Sequence, residues 1–397
     1  MSVIEITMFS AGNGDCFLVE CAGESEARVL IDGGFAKTFS GSAFERLRAI
    51  SDAGNSIDLL ICTHIDSDHI GGLIELLRRN ESASNANVIE VRQVWHNSLR
   101  SLAEEKAMDG MPQADNELLQ SIRQSGYRTP QTADRSEISA MQGSSLSNLI
   151  EQGGYTWNDG RGANPIVAPF AHLLNTDCQL TVLTPTRLGL DGLLDVWIKA
   201  LRKVGYSGSI SDNAMLADAF EFMCSFDKMQ LQSEEIVGKR AQDGDLADVY
   251  TPDSSVTNRS SISFILEYAG TKCLFLGDAW AEELVSSLES SGNSNTQIVF
   301  DVIKLSHHGS LHNTSPELLN LIDSPRFLVS TDGQKHDHPA FEVLKAIVDR
   351  PADFERSIFF NYETDGSTRL RAYRSKSGAA FSVHVDKDVK VRIQANV

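Results

Sequence analysis

Four donors suited to a metal ion, His64, Asp66, Asp68 and His69, fall within six residues of this chain. They follow directly on a short apolar run, residues 57–63 (IDLLICT), that reads as a buried strand closed by polar residues. Alternation carried briefly past Thr63 points His64 and Asp66 the same way. Asp68 and His69 fall where the pattern turns helical, with Ile70, Leu73, Ile74 and Leu77 on one face. One short loop thus presents donors to two adjacent cations. Gly71 and Gly72 admit close backbone packing where side chains would clash. An ordinary solvated loop has no reason to concentrate these residue types at this spacing.

Two other apolar runs end the same way. Leu276-Gly277-Asp278 sets a carboxylate just past a strand signal, and Ser306-His307-His308-Gly309-Ser310 sets two histidines past another. A Gly-Asp pair alone is commonly a turn, and a lone His-His is ambiguous. Three strand ends that all deliver His and Asp are more specific, because strand-end loops are where α/β folds build sites.

The surrounding pattern divides in three. Strands are expected at 3–9, 15–21 and 27–31, with turns at Gly12-Asn13-Gly14 and Gly33-Gly34, and a helix at 42–53. The middle, 83–256, is helix-prone and broken by Gly/Ser/Asp stretches. Its part 191–248 carries 11 acidic against 6 basic residues. It reads as a helix-rich acidic insertion or cap, with a role as lid or partner-docking surface set against an ordinary helical domain without catalytic residues. Strands return at 261–268 and 272–276 as a hairpin about Ala269-Gly270-Thr271, then at 298–306, 326–330, 357–361, 368–373 and 380–385. Helices are expected at 279–290 and near 315–322.

At this point the chain resembles the metallo-β-lactamase superfamily, and within it the ComEC-type group. The general pattern is HxHxDH; here it is HxDxDH, with Asp66 in the second histidine's place. Gly12-Asn13-Gly14-Asp15 resembles the group's GxGD turn and Leu30-Ile31-Asp32-Gly33-Gly34 its LIDGG. Asn258-Arg259-Ser260, Gly277-Asp278, His307-His308-Gly309-Ser310 and His338-Pro339 follow in family order. The resemblance implies an αββα sandwich formed by 1–82 and 257–397, with two divalent metal ions, zinc or manganese, between the sheet ends. It places His64 and Asp66 on one metal, Asp68, His69 and His307 on the other, and Asp278 across both. Asp32 would orient a ligand histidine. The first metal's third histidine has no clear counterpart, His172 being the one in sequence order.

Three carboxylates and three imidazoles make a hard donor set that favours manganese more than an all-histidine site does. Two metals that ionise a water and clamp attacking and leaving oxygens suit phosphodiesters. The chain is therefore expected to be a metal-dependent hydrolase, most readily a nuclease with DNA favoured. Catalytic roles are expected for Asp68 and Asp278. His338, His308 or Lys304 is expected to bind phosphate or protonate the leaving group; His336 lies in the same turn.

Composition qualifies this. The chain of 397 residues carries a formal charge of −19. Passive nucleic-acid binders are usually basic, so positive charge must be local here, and bound metals supply it. The alternatives are a small nucleotide, lactone or thioester substrate, a degenerate-site regulatory module, or an effector whose substrate a partner delivers. Six scattered cysteines with no CxxC pair, no apolar run of membrane-spanning length and no secretory signal fit a stand-alone cytoplasmic member.

Overall fold

The computed structural model describes residues 2–98, 146–158, 164–193, 244–290, 297–335 and 337–395. Two sheets face each other. The first has six strands in the order β16 (Val389–Gln394), β1 (Val3–Met8), β2 (Phe17–Ala22), β3 (Ala27–Ile31), β4 (Leu59–Cys62) and β5 (Val94–His96). The second has eight, in the order β15 (Phe381–Val385), β14 (Arg356–Phe360), β13 (Arg326–Val329), β11 (Val302–Lys304), β9 (Thr271–Phe275), β8 (Ser263–Tyr268), β7 (Cys178–Thr184) and β6 (Phe170–Leu173). A two-stranded parallel pair joins β10 (Ile298–Val299) to β12 (Ile322–Asp323).

Strand alternation builds the layers. Leu59 and Ile61 of β4 face inward and pack with Val29, Phe264, Leu266 and Phe275 between the sheets. Leu60 and Cys62 face outward, into a cluster with Leu47 of α1 (Ser42–Asp52), Leu73 and Leu77 of α2 (Ser67–Asn80) and Ile150 of α3 (Leu146–Gln152). On the far side, Leu274, Ile303 and Phe327 pack against Leu284 of α4 (Ala281–Ser290), Leu318 of α5 (Pro316–Leu321) and Leu344 of α6 (Phe341–Val348). Three apolar interfaces separate four layers. The fold is the expected αββα sandwich.

The first three strands, α1, β4, the hairpin β8–β9, α4, α5, β13, β14 and β15 stand where the sequence pattern puts them. Four features differ. The single strand expected over 298–306 is two, β10 and β11. Residues 368–373 are not a strand. All but Tyr373 belong to α7 (Asp365–Ala372), because Thr364 and Ser367 form a reciprocal capping box that starts a helix there. Helix α6 and the alternating strand β16 are additional. Finally, 83–256 is not wholly outside the sandwich: β5 extends the first sheet, and β6 and β7 extend the second. Three residues of β5 and four of β6 are too short to show a period. The rest of that segment's expected helical and acidic character falls largely on 99–145 and 194–243, outside the described residues.

Parallel strands β3 and β4 of the first sheet and β9, β11, β13 and β14 of the second all end at one edge of the sandwich. The loops that carry the candidate donors leave from these ends.

Candidate metal centre

Thr63 and His64 follow β4, and Asp66 is the residue before the first turn of α2, in extended backbone. Helix α2 begins at Ser67, so Asp68 and His69 both lie in its first turn. Two glycines let this turn be covered closely. A Cβ on Gly72 would collide with the Gly33 carbonyl oxygen, and one on Gly14 would collide with that of Asp68. The loop after β3 therefore rests directly on the helix, and the Asp15 amide donates to the Asp68 carbonyl at 3.2 Å.

Asp278 stands past β9 and is buried. The turn Ser306–Gly309 follows β11, and its two histidines are both left-handed, with φ of 45° for His307 and 57° for His308. Side chains other than Gly disfavour this conformation by roughly 1–2 kcal/mol per residue. Here it aims two adjacent imidazoles at one point.

Three of the four imidazoles are fixed by a hydrogen bond at Nδ1. His69 Nδ1 lies 2.8 Å from Asp32 Oδ2. A carboxylate only accepts, so Nδ1 carries a proton there, and Nε2 lies 3.4 Å from Asp278 Oδ2. Thr63 Oγ1 donates to Asp32 Oδ2 at 2.7 Å and so accepts from His64 Nδ1 at 3.0 Å. His64 Nε2 then faces Asp66 Oδ2 at 3.6 Å and Asp278 Oδ2 at 3.8 Å. His308 Nδ1 lies 3.3 Å from Asp15 Oδ1, and its Nε2 faces Asp68 Oδ2 at 3.7 Å and Asp278 Oδ2 at 3.8 Å. Asn313 donates its amide hydrogens to Asp253 and to the Asp278 carbonyl, so its oxygen accepts from His307 Nδ1 at 2.8 Å. His307 Nε2 faces Asp278 Oδ2 at 3.9 Å. Four Nε2 atoms and three carboxylates thus converge.

Several of these atoms are buried with no hydrogen-bond partner: His64 Nε2, His69 Nε2, both ring nitrogens of His308, Asp278 Oδ1 and Asp15 Oδ1. Buried polar atoms left in this way are costly. They are also donors of the kind that zinc and manganese take. Asp68, His69 and His308 offer donor atoms within 4.8 Å of one another, as do His64, His69 and Asp278. The residues fit divalent cations, with Asp278 facing both sets.

The electrostatics agree. Burial pushes the Asp278 carboxyl up, but His69, His308 and His307 hold it well below the usual range. Burial pushes His308 down; Asp278 and Asp15 more than reverse this and raise it to about 9. Asp68 is likewise lowered against its burial by His308 and His69. Without metal, protons on His69 and His308 balance the carboxylates.

Of the residues expected from sequence, His64, Asp66, Asp68, His69, Asp278 and His307 come together here. The grouping differs: His308, rather than His307, stands with Asp68 and His69, and His64 groups with His69 and Asp278, with Asp66 Oδ2 3.6 Å from its Nε2. His338 is buried at the margin, its ring 4.9 Å from that of His307. Lys304 is not at the mouth of the site. Its Nζ is buried behind Asp278, ion-paired with Asp15 and donating to the Gly277 carbonyl at 3.0 Å. Burial would lower Lys304, but Asp15 and Asp278 raise it, so it stays a fixed cation. His172 sits on edge strand β6 with its ring against Trp95, among the residues of neither cation group. His336 lies outside the described residues. Sequence reading gave Asp15 no role. Its one signal was a carboxylate closing a glycine turn, and what makes it matter is His308 and Lys304, about 290 residues away.

An αββα sandwich with a His/Asp cluster at the shared strand ends is the architecture of a metallo-β-lactamase fold. Residues 10–115 match the family model of the Metallo-beta-lactamase superfamily. Its members are generally metal-dependent hydrolases. No curated protein matches the chain. Among solved structures, a point mutant of CmlA beta-hydroxylase is similar at 11% identity and a TM-score of 0.37, covering 99% of this chain and 54% of that one. A long form RNase Z from yeast is similar at 9% identity and a TM-score of 0.36, covering 99% of this chain and 48% of that one. The chain thus spans about half the length of these proteins.

Proposed function

We propose that this chain is a metal-dependent hydrolase of phosphodiester bonds, with nucleic acid, DNA first, as its substrate. The convergence of four Nε2 atoms and the carboxylates of Asp66, Asp68 and Asp278 carries the reading. Two divalent cations held there would lower the pKa of a shared water and neutralise charge that grows on a phosphoryl group in the transition state.

The chain's own residues do the rest. Asp278 faces both cation positions. Asp68 and Asp66, at 20% and 35% side-chain exposure, are the carboxylates open to solvent and so to substrate. His338, beside His307 at the margin, is placed to hold or deliver a proton to a leaving oxygen. Lys304 is a positioning residue: it anchors Asp15 and the Gly277 carbonyl, so the peptide bearing Asp278 is held from below. A carboxylate-rich donor set favours phosphate over carbonyl substrates through its preference for hard cations. At −19 net charge, the general surface repels nucleic acid. Attraction then rests on the centre itself or on a partner protein docked on the acidic middle segment.

The test is hydrolysis by chelator-stripped protein reloaded with manganese or zinc. Substrates are linear DNA, RNA, cyclic nucleotides and bis(p-nitrophenyl) phosphate, with Asp68→Ala as control. Cleavage that needs metal and Asp68 supports the reading. No cleavage of any of the four, with wild type and Asp68→Ala indistinguishable, sinks it.

A further inference from the structure

A cavity of about 510 Å³ lies between the end of α7 and strand β15, at one edge of the second sheet, and none of the donors of the metal centre lines it. Small-molecule sites commonly measure about 300–1,000 Å³. The floor is apolar. Phe381 and Val383 stand two residues apart on β15, so both point to the same side, and both are half-buried. Tyr373 stands with them in the lining. The rim is basic. Arg371 comes from the last turn of α7 and Arg374 from just past its end. No carboxylate is among the described residues that line the cavity. In a chain with a formal charge of −19, that is the reverse of the overall balance.

Neighbouring cations are taken up by the fold, and these two are not. Arg369 lies 3.6 Å from Asp365 and over the Phe341 ring, and Lys376 Nζ donates to Asp245 at 2.6 Å. Arg371 meets Glu363 at 2.6 Å, but the two side chains are 44% and 52% exposed. Such a pair contributes at most about 1 kcal/mol, so Arg371 can exchange it for a better anion. Arg374 makes no hydrogen bond or ion pair with any described residue. The wall itself is fixed. Asp349 accepts from the Tyr373 hydroxyl at 2.9 Å and from the Lys376 amide at 2.7 Å, and the Gly378 amide donates to the Ser375 carbonyl at 3.2 Å. A wall already ordered leaves a ligand little ordering to offset.

We propose that this cavity binds a phosphate monoester carrying a flat ring, the chemistry of a nucleoside monophosphate. Arg371 and Arg374 hold the phosphate, because a planar guanidinium matches its oxygens in a two-pronged, charge-assisted contact. The ring lies over Phe381 and Val383 and takes their apolar surface out of water. The site is separate from the metal centre and needs neither metal nor hydrolysis.

The experiment is calorimetric titration of the full-length, chelator-treated chain with four probes: adenosine monophosphate, adenosine, inorganic phosphate and hexaglutamate. Adenosine monophosphate is expected to bind at one site. Adenosine lacks the phosphate and inorganic phosphate lacks the ring, so each should bind at least about tenfold more weakly. Arg371→Gln and Arg374→Gln should each weaken adenosine monophosphate by at least about tenfold, the loss of a charged hydrogen-bond partner. Asp68→Ala, in the metal centre, should leave its binding as it is in wild type. Circular dichroism checks that each variant is folded, and the ranking of the four probes on wild type stands by itself if one is not. No binding of adenosine monophosphate overturns the inference, as does binding that both arginine variants retain or that Asp68→Ala abolishes. Hexaglutamate binding as tightly as adenosine monophosphate overturns it too, since the site would then select an acidic peptide. None of these outcomes bears on phosphodiester cleavage, which is tested separately.

Discussion

Asp32→Asn is the most informative single change, because one carboxylate orients two histidines. Asp32 accepts three hydrogen bonds: the Thr63 amide on Oδ1 at 2.7 Å, and the Thr63 hydroxyl and His69 Nδ1 on Oδ2 at 2.7 and 2.8 Å. The side chain is fully buried. Asn has the same shape, but one of its two ends must be an NH2 facing a donor. If the NH2 takes the Oδ1 place, it meets the Thr63 amide. If it takes the Oδ2 place, it meets both the hydroxyl and the imidazole. At least one buried donor is left unpaired, at ~1–3 kcal/mol, and the surviving bonds lose their charge assistance. The expected loss of stability is about 3 kcal/mol, measured by urea denaturation in the presence of chelator. His69 loses its anionic acceptor, and Thr63 loses the partner that leaves its lone pair toward His64. Both metal positions should therefore weaken, each by about 10–100-fold in a cobalt titration. A variant within about 0.5 kcal/mol of wild type, taking up two ions with unchanged affinity, would refute the account of how the rings are held.

Three further outcomes are expected. His308 titrates at about 9 in the metal-free fold against about 6.5 unfolded, so it contributes stability that is fully present below pH 6.5 and is lost as pH rises through 9, about 3 kcal/mol in all. Thermal melts in chelator from about pH 6 to about pH 9.5 check this; a flat profile, or one that His308→Gln leaves unchanged, contradicts it. Lys304→Met leaves Asp15 buried without its cation and should cost about 3–5 kcal/mol in chemical denaturation; a neutral result would mean that the ion pair is dispensable. Gly14→Ala drives a methyl against the Asp68 carbonyl oxygen and should destabilise by about 1–3 kcal/mol, with loss of metal uptake at the Asp68 position; normal uptake would show that the loop can move aside.

Local chemistry decided much of this molecule in advance. The period of residues 57–77 fixes a buried strand running into an amphipathic helix, and a His/Asp cluster at that junction has few uses besides holding cations. The hairpin about Gly270 and the turns about Gly12 and Gly33 are equally local. What local pattern could not decide was anything that depends on a distant partner. Residues 368–373 carry a strand-compatible run, yet the cap at Thr364 makes all but Tyr373 helical. β5 and β6 are too short to have a period and are strands because a sheet edge was there to receive them.

The centre divides along the same line. Donor types were legible, because strand-end His and Asp need no neighbour to be noticed. Their pairing was not. Whether His307 or His308 joins Asp68 depends on two consecutive left-handed residues after β11, and a choice of backbone basin at a turn leaves no mark in a hydrophobic pattern. Lys304 reads as a phosphate-binding candidate past a strand until the packed sheets bury it behind Asp278. Asp15 reads as the end of a turn until His308 and Lys304 arrive from the other sheet. Sequence alone determined which side chains offer donors suited to a cation, since that is a property of the residue types. Only the tertiary structure decided which of them act together and which anions stand behind them, because that is set by contacts between sheets whose strands lie hundreds of residues apart.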